Sequence, residues 1–301
     1  MNNKLPHIVQ YQGSKRLLAH KILHYIPQYC NNFIEPFAGM AAMSIAVALR
    51  NRAKHFYIND INKPLIDLLQ EAIISPEKLL STYTAIWNDQ FSFSDGHVQH
   101  FYKIRDDFNS GNKSPANMLY LLARCVKGAV RYGKDGKFNQ SPDKRRHGTT
   151  PQNLRKNILY ISNLLINKTT FSALDYREIL EYASKDDIVY MDPPYQGVSN
   201  VRDNRYFSGI DFNAFVSAVD FLNQKGINFV ISYDGKCGTT NYGKDLPEEL
   251  ECTKILLNAG LSTQATFLGK REVTFEALYI SKKLTYLLNE QIDLFGDVYE
   301  Y

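Results

Sequence analysis

The sequence predicts an α/β fold in which a doubly wound sheet carries a basic inserted module. Short apolar segments typical of strands alternate with helical patterns, and residues 32–50 run from a strand through a tight turn into an Ala-rich helix. The insertion is predicted by charge: residues 76–165 hold 14 Lys and Arg against 7 Asp and Glu, a net +7, although all 301 residues together carry only +4. A basic module between acidic flanks favours an acidic partner such as nucleic acid.

The composition is that of an ordinary globular protein, with 44% hydrophobic and 22% charged residues. No apolar run approaches the ~20 residues of a membrane span, and the first residues lack the apolar core of a signal peptide. We therefore expect no membrane association and a cytoplasmic location. The four cysteines are scattered, and His20 and His24 have no further ligand beside them, so we expect neither a disulfide framework nor a metal site.

The N-terminal segment predicts a helix that follows a glycine turn. Gly13 permits the turn, Ser14 is a suitable N-cap, and apolar residues continue at helical spacing to Tyr25. A helix N-terminus after glycine can hold an anion, although Ser14 can equally be an ordinary cap.

Residues 32–50 predict the first strand, a turn with Pro36 and Gly39, and a helix. Such a turn opens a ligand site in a doubly wound sheet, but a dinucleotide-binding turn has three glycines and this one has a single glycine. A cofactor without phosphates therefore fits better than NAD or FAD. The second strand ends on Asp60, whose two oxygens can bind ribose hydroxyls or serve as a simple cap.

Within the insertion, residues 124–147 hold eight Lys or Arg and two acids, and Lys134-Asp-Gly-Lys137 predicts a hairpin turn. Cations suit phosphates, amides suit base edges and aromatic rings suit stacking, so nucleic-acid contact is a better interpretation than a solvated basic loop. The predicted contact residues are Arg124, Arg131, Tyr132, Lys134, Lys137, Asn139, Lys144, Arg145 and Arg146.

The sheet pattern resumes at 169–173, and residues 188–191 predict a buried strand that stops at Asp192-Pro-Pro-Tyr195. The two prolines remove two backbone donors, so the segment offers hydrogen-bond acceptors. Asp192 and the carbonyls of Pro193 and Pro194 can receive both hydrogens of one exocyclic amino group, beside the flat ring of Tyr195. The pattern predicts a pocket for an amino-bearing heterocycle, and a proline-stiffened turn is the alternative.

After this motif, a polar loop over 196–211 is long enough to act as a lid. A helix over 212–225 and a strand over 227–234 follow. Thr263 to Gly269 and Glu272 to Ile280 then predict an antiparallel pair that closes the sheet.

In residue type and in order, these motifs resemble those of the Dam-like (D12 class, α-group) adenine-specific DNA methyltransferases. The similarity runs from Tyr11 to about Ile280. The matched motifs are Tyr11 to Lys15 and Phe33 to Gly39 for the cofactor, Asp60 for its ribose, Asp175 for its adenine, Arg131 to Asn139 for DNA and Asp192 to Tyr195 for catalysis.

The resemblance implies a seven-stranded Rossmann-like sheet in which a mainly helical target-recognition domain, 76–165, separates two catalytic parts, 1–75 and 166–301. It implies methyl transfer from S-adenosylmethionine to N6 of an adenine flipped out of double-stranded DNA. Catalysis falls to Asp192, Pro193, Pro194 and Tyr195, and cofactor binding to Tyr11, Lys15, Glu35, Pro36, Phe37, Gly39, Asp60, Asp175, Tyr176 and Asp192.

A monomer and a cognate restriction endonuclease of a type II restriction-modification system are further expectations from the resemblance. Cytosine N4 and adenine in RNA stay open as acceptors, since both carry an exocyclic amino group. From another class, an inactive DNA-binding protein on the same scaffold stays open, whereas a nicotinamide dehydrogenase is disfavoured by the missing glycines.

Overall fold

The computed structural model describes residues 5–92, 96–194, 210–237, 240–241, 244–261 and 272–295. Seven strands follow one another in the sheet order β3-β2-β1-β4-β5-β8-β7, and the two-residue β6 lies off this path beside β5. This confirms the predicted seven-stranded Rossmann-like sheet. The strands are β1 (Cys30–Glu35), β2 (Ala53–Asn59), β3 (Thr169–Ser172), β4 (Ile188–Met191), β5 (Asn228–Cys237), β6 (Thr240–Asn241), β7 (Thr253–Leu261) and β8 (Val273–Ile280).

The strand directions bring the carboxyl ends of β1 to β5 to one edge of the sheet. β1 pairs in parallel with β2 and β4, β2 with β3, and β4 with β5. β8 runs antiparallel between β5 and β7. The chain moves outward from β1 to β2 and β3, then returns to β4 on the other side, and ligands bind at such a switch point.

Helices cover both faces of the sheet. They are α1 (Ala19–Ile22), α2 (Ala42–Leu49), α3 (Lys63–Ile74), α4 (Pro76–Asp89), α5 (His97–Asn109), α6 (Pro115–Arg124), α7 (Pro151–Leu165), α8 (Tyr176–Leu180), α9 (Phe212–Gln224) and α10 (Lys282–Phe295). None of the helices in the described part of the chain combines the length and apolar composition that a bilayer crossing requires.

Alternate strand residues are buried on opposite faces, as the two-residue period of a strand requires. Phe33 and Tyr190 belong to the core shared with α2, whereas Ile34 and Val189 belong to the core shared with α8 and α9. All four side chains have no solvent exposure. The strands therefore form continuous apolar runs, because both faces are covered.

The inserted segment 76–165 is mainly helical, with α4 to α7 packed together and against α3. Its apolar side chains join those of α2 and α3 in one continuous core. α6 and α7 begin alike: the hydroxyls of Ser114 and Thr150 cap them, and a proline follows each cap. The insertion and the sheet therefore share one hydrophobic core.

The predicted hairpin at Lys134-Asp-Gly-Lys137 is present. The Gly133 N–H donates to the Lys137 carbonyl at 2.8 Å, and Tyr132 and Phe138 form an antiparallel bridge. Asn109 of α5 holds the base of the hairpin, because its side chain accepts from the Phe138 N–H and donates to the Phe138 carbonyl.

The helix predicted after Ser14 differs from the observed structure. The Ser14 hydroxyl accepts from the Arg16 N–H at 3.4 Å, as expected of a cap. The helix is nevertheless broken into a 3-10 turn, Lys15–Leu17, and the single turn of α1. The break leaves Leu17 74% exposed while Lys15 turns inward and is buried.

The antiparallel pair at the end of the sheet also differs. Glu272 to Ile280 was predicted as a strand and corresponds to β8, but its partner is β7, earlier in the chain than predicted. Most of β7 is exposed at the sheet edge and it contains Asn258 and Gly260, so its sequence pattern is weak. Thr263 to Gly269 and the predicted lid residues 196–209 lie outside the described residues.

Candidate active site

A cavity of 290 Å³ opens where the carboxyl ends of β1 to β4 meet. Pro194 lines the cavity, whereas Tyr195 lies outside the described residues. All ten residues predicted to bind a cofactor line it as well: Tyr11, Lys15, Glu35, Pro36, Phe37, Gly39, Asp60, Asp175, Tyr176 and Asp192. The fold thus gathers into one site residues that are far apart in the sequence.

Asn59, the last residue of β2, ties the strand ends together beneath the cavity. Its amide nitrogen donates to the carbonyls of Pro36 and Leu174, at 3.0 Å each. Its amide oxygen accepts from the Ser172 hydroxyl at 2.7 Å and from the Leu174 N–H at 2.9 Å. The sequence does not reveal this role, because asparagine at a strand end is equally typical of a turn.

Asp60 fixes the turn between β1 and α2. Its Oδ2 accepts from the Gly39 N–H and its Oδ1 from the Asn62 N–H, both at 2.9 Å. Burial raises the pKa of Asp60, and these two bonds oppose the rise. A Cβ on Gly39, whose φ is 52°, would lie 3.0 Å from the Tyr11 ring. Each carboxylate oxygen has two lone pairs, so Asp60 can still accept from ligand hydroxyls.

Glu35 is buried between β1 and the start of α2. Its carboxylate accepts from the backbone N–H and the hydroxyl of Ser44, and from the Met43 N–H at 3.4 Å. Burial raises the pKa of Glu35 to about 7, although these bonds oppose the shift. The acid therefore holds the first turn of α2 against the cavity as well as lining it.

Asp175 and Tyr176 form another part of the cavity wall. Asp175 caps α8, and its Oδ1 accepts from the Arg177 side chain at 2.8 Å, which holds the pKa of Asp175 low. The Tyr176 ring packs on Phe37 with 5.0 Å between centroids. Its buried hydroxyl has no hydrogen-bond partner among the described residues. An aromatic wall of this kind suits a flat heterocycle.

Asp192 follows β4 and is paired with Lys15. The Lys15 Nζ lies 3.0 Å from the Asp192 Oδ1 and 2.7 Å from the Glu276 Oε1. Burial raises the pKa of Asp192 to about 6, with Lys15 opposing the rise and Glu276 adding to it. Burial alone would lower the pKa of Lys15, but the two acids raise it above its ordinary value. Glu276 is absent from the residues predicted by sequence.

The charges of the cavity indicate which cofactor it suits. Five acids line the described cavity, against the two bases Lys15 and Arg177, and each base is paired with an acid. The cavity is therefore net negative and would repel a pyrophosphate group. A sulfonium and an ammonium group would be stabilised. The close turn at Gly39, the Asp60 oxygens and the Tyr176 ring fit a nucleoside that carries a cationic chain. The residues present therefore fit S-adenosylmethionine.

Comparison with known families agrees with this chemistry. The family model described as D12 class N6 adenine-specific DNA methyltransferase matches residues 11–263. The chain belongs to this family. It is an adenine-specific DNA methyltransferase, with S-adenosylmethionine as its methyl donor and DNA as its substrate.

Individual relatives are similar at modest identity. The Type II methyltransferase M.MjaIII of Methanocaldococcus jannaschii is 25% identical over 219 residues, covering 68% of this chain and 74% of the relative. The Retron Ec67 DNA adenine methylase of Escherichia coli is 25% identical over 230 residues, covering 75% of this chain and 76% of the relative. The modification methylase StsI of Streptococcus sanguinis is also 25% identical, over 74% of this chain, but the match spans only 34% of that longer protein.

Among solved structures, the rRNA methyltransferase aviRa of Streptomyces viridochromogenes matches with a TM-score of 0.39 and 9% sequence identity. The match covers 90% of this chain and 85% of that protein. A likeness of this size does not bear on the function of the methyltransferase.

The basic segment of the methyltransferase lies at the cavity edge, since Val130 lines the cavity. We call the exposed cations of residues 131–146 the hairpin cations. They are Arg131, Lys134, Lys137, Lys144, Arg145 and Arg146, and the Asn139 side chain is exposed with them. These seven predicted DNA-binding residues are thus available to a macromolecular partner.

Two contacts attach this segment to the walls of the cavity. The Tyr132 hydroxyl donates to the Asn62 Oδ1 at 3.1 Å, and the Gln12 N–H donates to the Gly128 carbonyl at 3.0 Å. Gly128 has a φ of 59°, and a Cβ there would lie 2.1 Å from the Gln10 carbonyl oxygen, so only glycine fits. Tyr132, one of the predicted DNA-binding residues, is half-buried, and its hydroxyl anchors the hairpin.

Arg124 has to be removed from the predicted DNA-binding residues. Its side chain has no solvent exposure. Its guanidinium donates to the carbonyls of Asp143 at 3.2 Å and His97 at 3.4 Å. A buried guanidinium that holds a loop in this way cannot contact a phosphate. The sequence gives no warning, because Arg124 directly adjoins the exposed basic residues.

Proposed function

We propose that this methyltransferase modifies N6 of an adenine flipped out of double-stranded DNA, within one defined target sequence. Asp192 and the carbonyls of Pro193 and Pro194 accept hydrogen bonds from the adenine amino group, and Tyr195 stacks on the base. The ten cavity residues named above hold the cofactor. Residues 76–165 recognise the target, with the hairpin cations on the phosphates.

One observation carries this proposal. The acceptor segment after β4 meets the same cavity that the cofactor residues line, with Asp192 and Pro194 in its wall. A methyl donor in the cavity and an amino group on Asp192 would therefore be direct neighbours. Because a carboxylate oxygen has two lone pairs, the contact with Lys15 leaves Asp192 able to accept from a substrate.

The acceptor residues would act on a poor nucleophile. The N6 lone pair of adenine is delocalised into the ring, and hydrogen bonds to Asp192 and a proline carbonyl would favour a more tetrahedral nitrogen. They would also stabilise the positive charge that develops on nitrogen during attack. S-adenosylmethionine supplies an electrophilic methyl group on a sulfonium. Much of the rate acceleration would come from in-line positioning of this group and the nitrogen.

The position of Asp192 supports base flipping as part of the proposal. Its carboxylate is only 19% exposed and lies within a cavity, where a base stacked in a duplex cannot reach it. Enzymes that act on a base in DNA extrude it into such a pocket. The hairpin cations would hold the flanking backbone while the base is out, because phosphate contacts position the protein without reading sequence.

We infer the biological setting by analogy with the relatives. M.MjaIII is named a Type II methyltransferase, and StsI a modification methylase. By analogy, a restriction endonuclease that cuts the same sequence would be the partner of this methyltransferase. The chain would act as a monomer, because a single copy supplies the cavity and the hairpin cations.

The test is single-molecule sequencing of DNA from a methylation-free host that expresses the chain. We expect N6-methyladenine in one motif, and its loss with Asp192→Ala while thermal unfolding and S-adenosylhomocysteine binding show a folded, cofactor-competent protein. Methylcytosine in the readout, modification of RNA in place of DNA, or an active Asp192→Ala variant would contradict the proposal.

A further inference from the structure

A second buried acid lies behind the Asp192 carboxylate. The Lys15 ammonium stands between Asp192 and Glu276, at 3.0 and 2.7 Å. The Glu276 Oε1 also accepts from the Ser232 hydroxyl at 3.1 Å. The Lys15 and Glu276 side chains are 9% and 11% exposed, so water does little to screen these charges.

Three distant parts of the chain build this cluster. Lys15 comes from the N-terminal segment, Asp192 from the end of β4, and Glu276 from β8 beside β5. β8 lies outside the group of parallel strands whose ends form the cavity, and Glu276 does not line the cavity. It therefore acts on the site from outside the cavity, through its contact with Lys15 and through its own charge.

The balance of charge in the cluster is two acids to one base. Were Lys15 paired with Asp192 alone, its full charge would neutralise the carboxylate and weaken it as an acceptor. Shared with Glu276, the ammonium still fixes the Asp192 Oδ1 while a net negative charge remains at the cavity. A net negative charge favours the reaction, because positive charge develops on the adenine nitrogen during attack and is stabilised by it.

We propose that Glu276 is a positioning residue for methyl transfer: it holds Lys15 in place and draws off part of its charge, so that Asp192 remains a strong acceptor. This inference rests on the proposed role of Asp192. The other ionisable groups that face Asp192 are Glu35 across the cavity and Tyr190 from β4, and the Tyr190 hydroxyl also interacts electrostatically with Lys15 and Glu276.

The experiment measures single-turnover methyl transfer against pH in Glu276→Gln. We expect the plateau rate to fall by about tenfold, because Asp192 becomes a weaker acceptor. The acid limb should move to lower pH, since the negative charge of Glu276 raises the pKa of Asp192. The KM for DNA and the affinity for S-adenosylhomocysteine should stay within about twofold, because Glu276 does not line the cavity.

Two further variants distinguish the effect of losing the Glu276 charge from an effect on folding. Glu276→Asp keeps the charge but shortens the reach to Lys15, so its plateau rate should fall by less and its acid limb should not move. Glu251→Gln makes the same substitution in an exposed ion pair with Lys282 and should leave both quantities unchanged. If Glu276→Gln does not fold, Glu276→Asp provides the test. A wild-type plateau rate in Glu276→Asp would overturn the positioning role.

A folded Glu276→Gln enzyme with the wild-type rate and acid limb would overturn the inference. The same result in an enzyme that still depends on Asp192 would leave the proposed function intact. Conversely, an active Asp192→Ala variant would contradict the proposed function itself.

Discussion

The cavity and the hairpin segment both depend on lysine and arginine, but they use the positive charge in opposite ways. In the cavity, Lys15 is buried and contacts two acids. In the hairpin, Lys134 and Lys137 are exposed beside few acids. Charge in the cavity is thus fixed and shielded from salt, whereas charge on the hairpin is open to salt and to phosphates. The proposed chemistry should therefore respond to pH, and DNA binding to ionic strength.

The largest expected effect comes from the hairpin lysines, whose loss should weaken DNA binding without changing the rate of methyl transfer. In Lys134→Ala/Lys137→Ala we expect DNA affinity to fall by at least about tenfold at moderate salt, and the slope of log K against log salt to decrease by about 2. The rate at saturating DNA should be unchanged, because neither residue lines the cavity. Fluorescence anisotropy over a salt series measures both quantities.

The matched control is Lys283→Ala, which removes an exposed cation from α10 and should leave the salt slope as it is. A double hairpin variant with the wild-type slope would show that these lysines do not contact phosphates.

The next effect concerns pH. Burial raises the pKa of Asp192 to about 6, so the carboxylate gains a proton and loses acceptor strength as the pH falls through that value. We expect methyl transfer to be flat above about pH 7 and to drop about tenfold per unit well below 6. DNA affinity should change little over the same pH range, because none of the hairpin cations lines the cavity. Parallel decline of rate and affinity would mean that the two regions are not independent.

The smallest effect should come from the contact that joins the regions. Tyr132→Phe keeps the ring against Phe138 but removes the bond to Asn62, which is next to Asp60 in the cavity wall. One neutral hydrogen bond is worth about 1 kcal/mol, so we expect a change of about fivefold or less in DNA affinity. That change should be larger with S-adenosylhomocysteine bound than without it. Equal changes in both states would show that the contact does not couple the sites.

The sequence predicts this site well where residue type and strand ends coincide. Asp60 and Asp192 each follow an apolar strand, and parallel strands place such residues at one edge of a sheet. The ten predicted cofactor residues therefore line one cavity. The buried strand over residues 188–191 is confirmed for the same reason, since four consecutive apolar residues need cover on both faces.

Prediction fails where a role depends on tertiary neighbours. Glu276 lies within a strand pattern and resembles a solvent-facing residue until β8 is placed beside β5. Arg124 belongs by composition to the exposed basic segment, yet α6 turns it inward to two carbonyls. Asn59 looks like a turn residue and instead bonds to two other strand ends. In each case, the partner lies too far along the chain for spacing to indicate it.

The attachment of the hairpin also bears on the engineering of new target preferences. Gly128 and Tyr132 connect the basic segment to Gln12 and Asn62 of the catalytic part, and a Cβ at residue 128 would clash with the backbone of the N-terminal segment. A graft that replaces the whole insertion would have to rebuild both attachments. A graft confined to the tip, residues 133–137, would leave both attachments to the catalytic part in place.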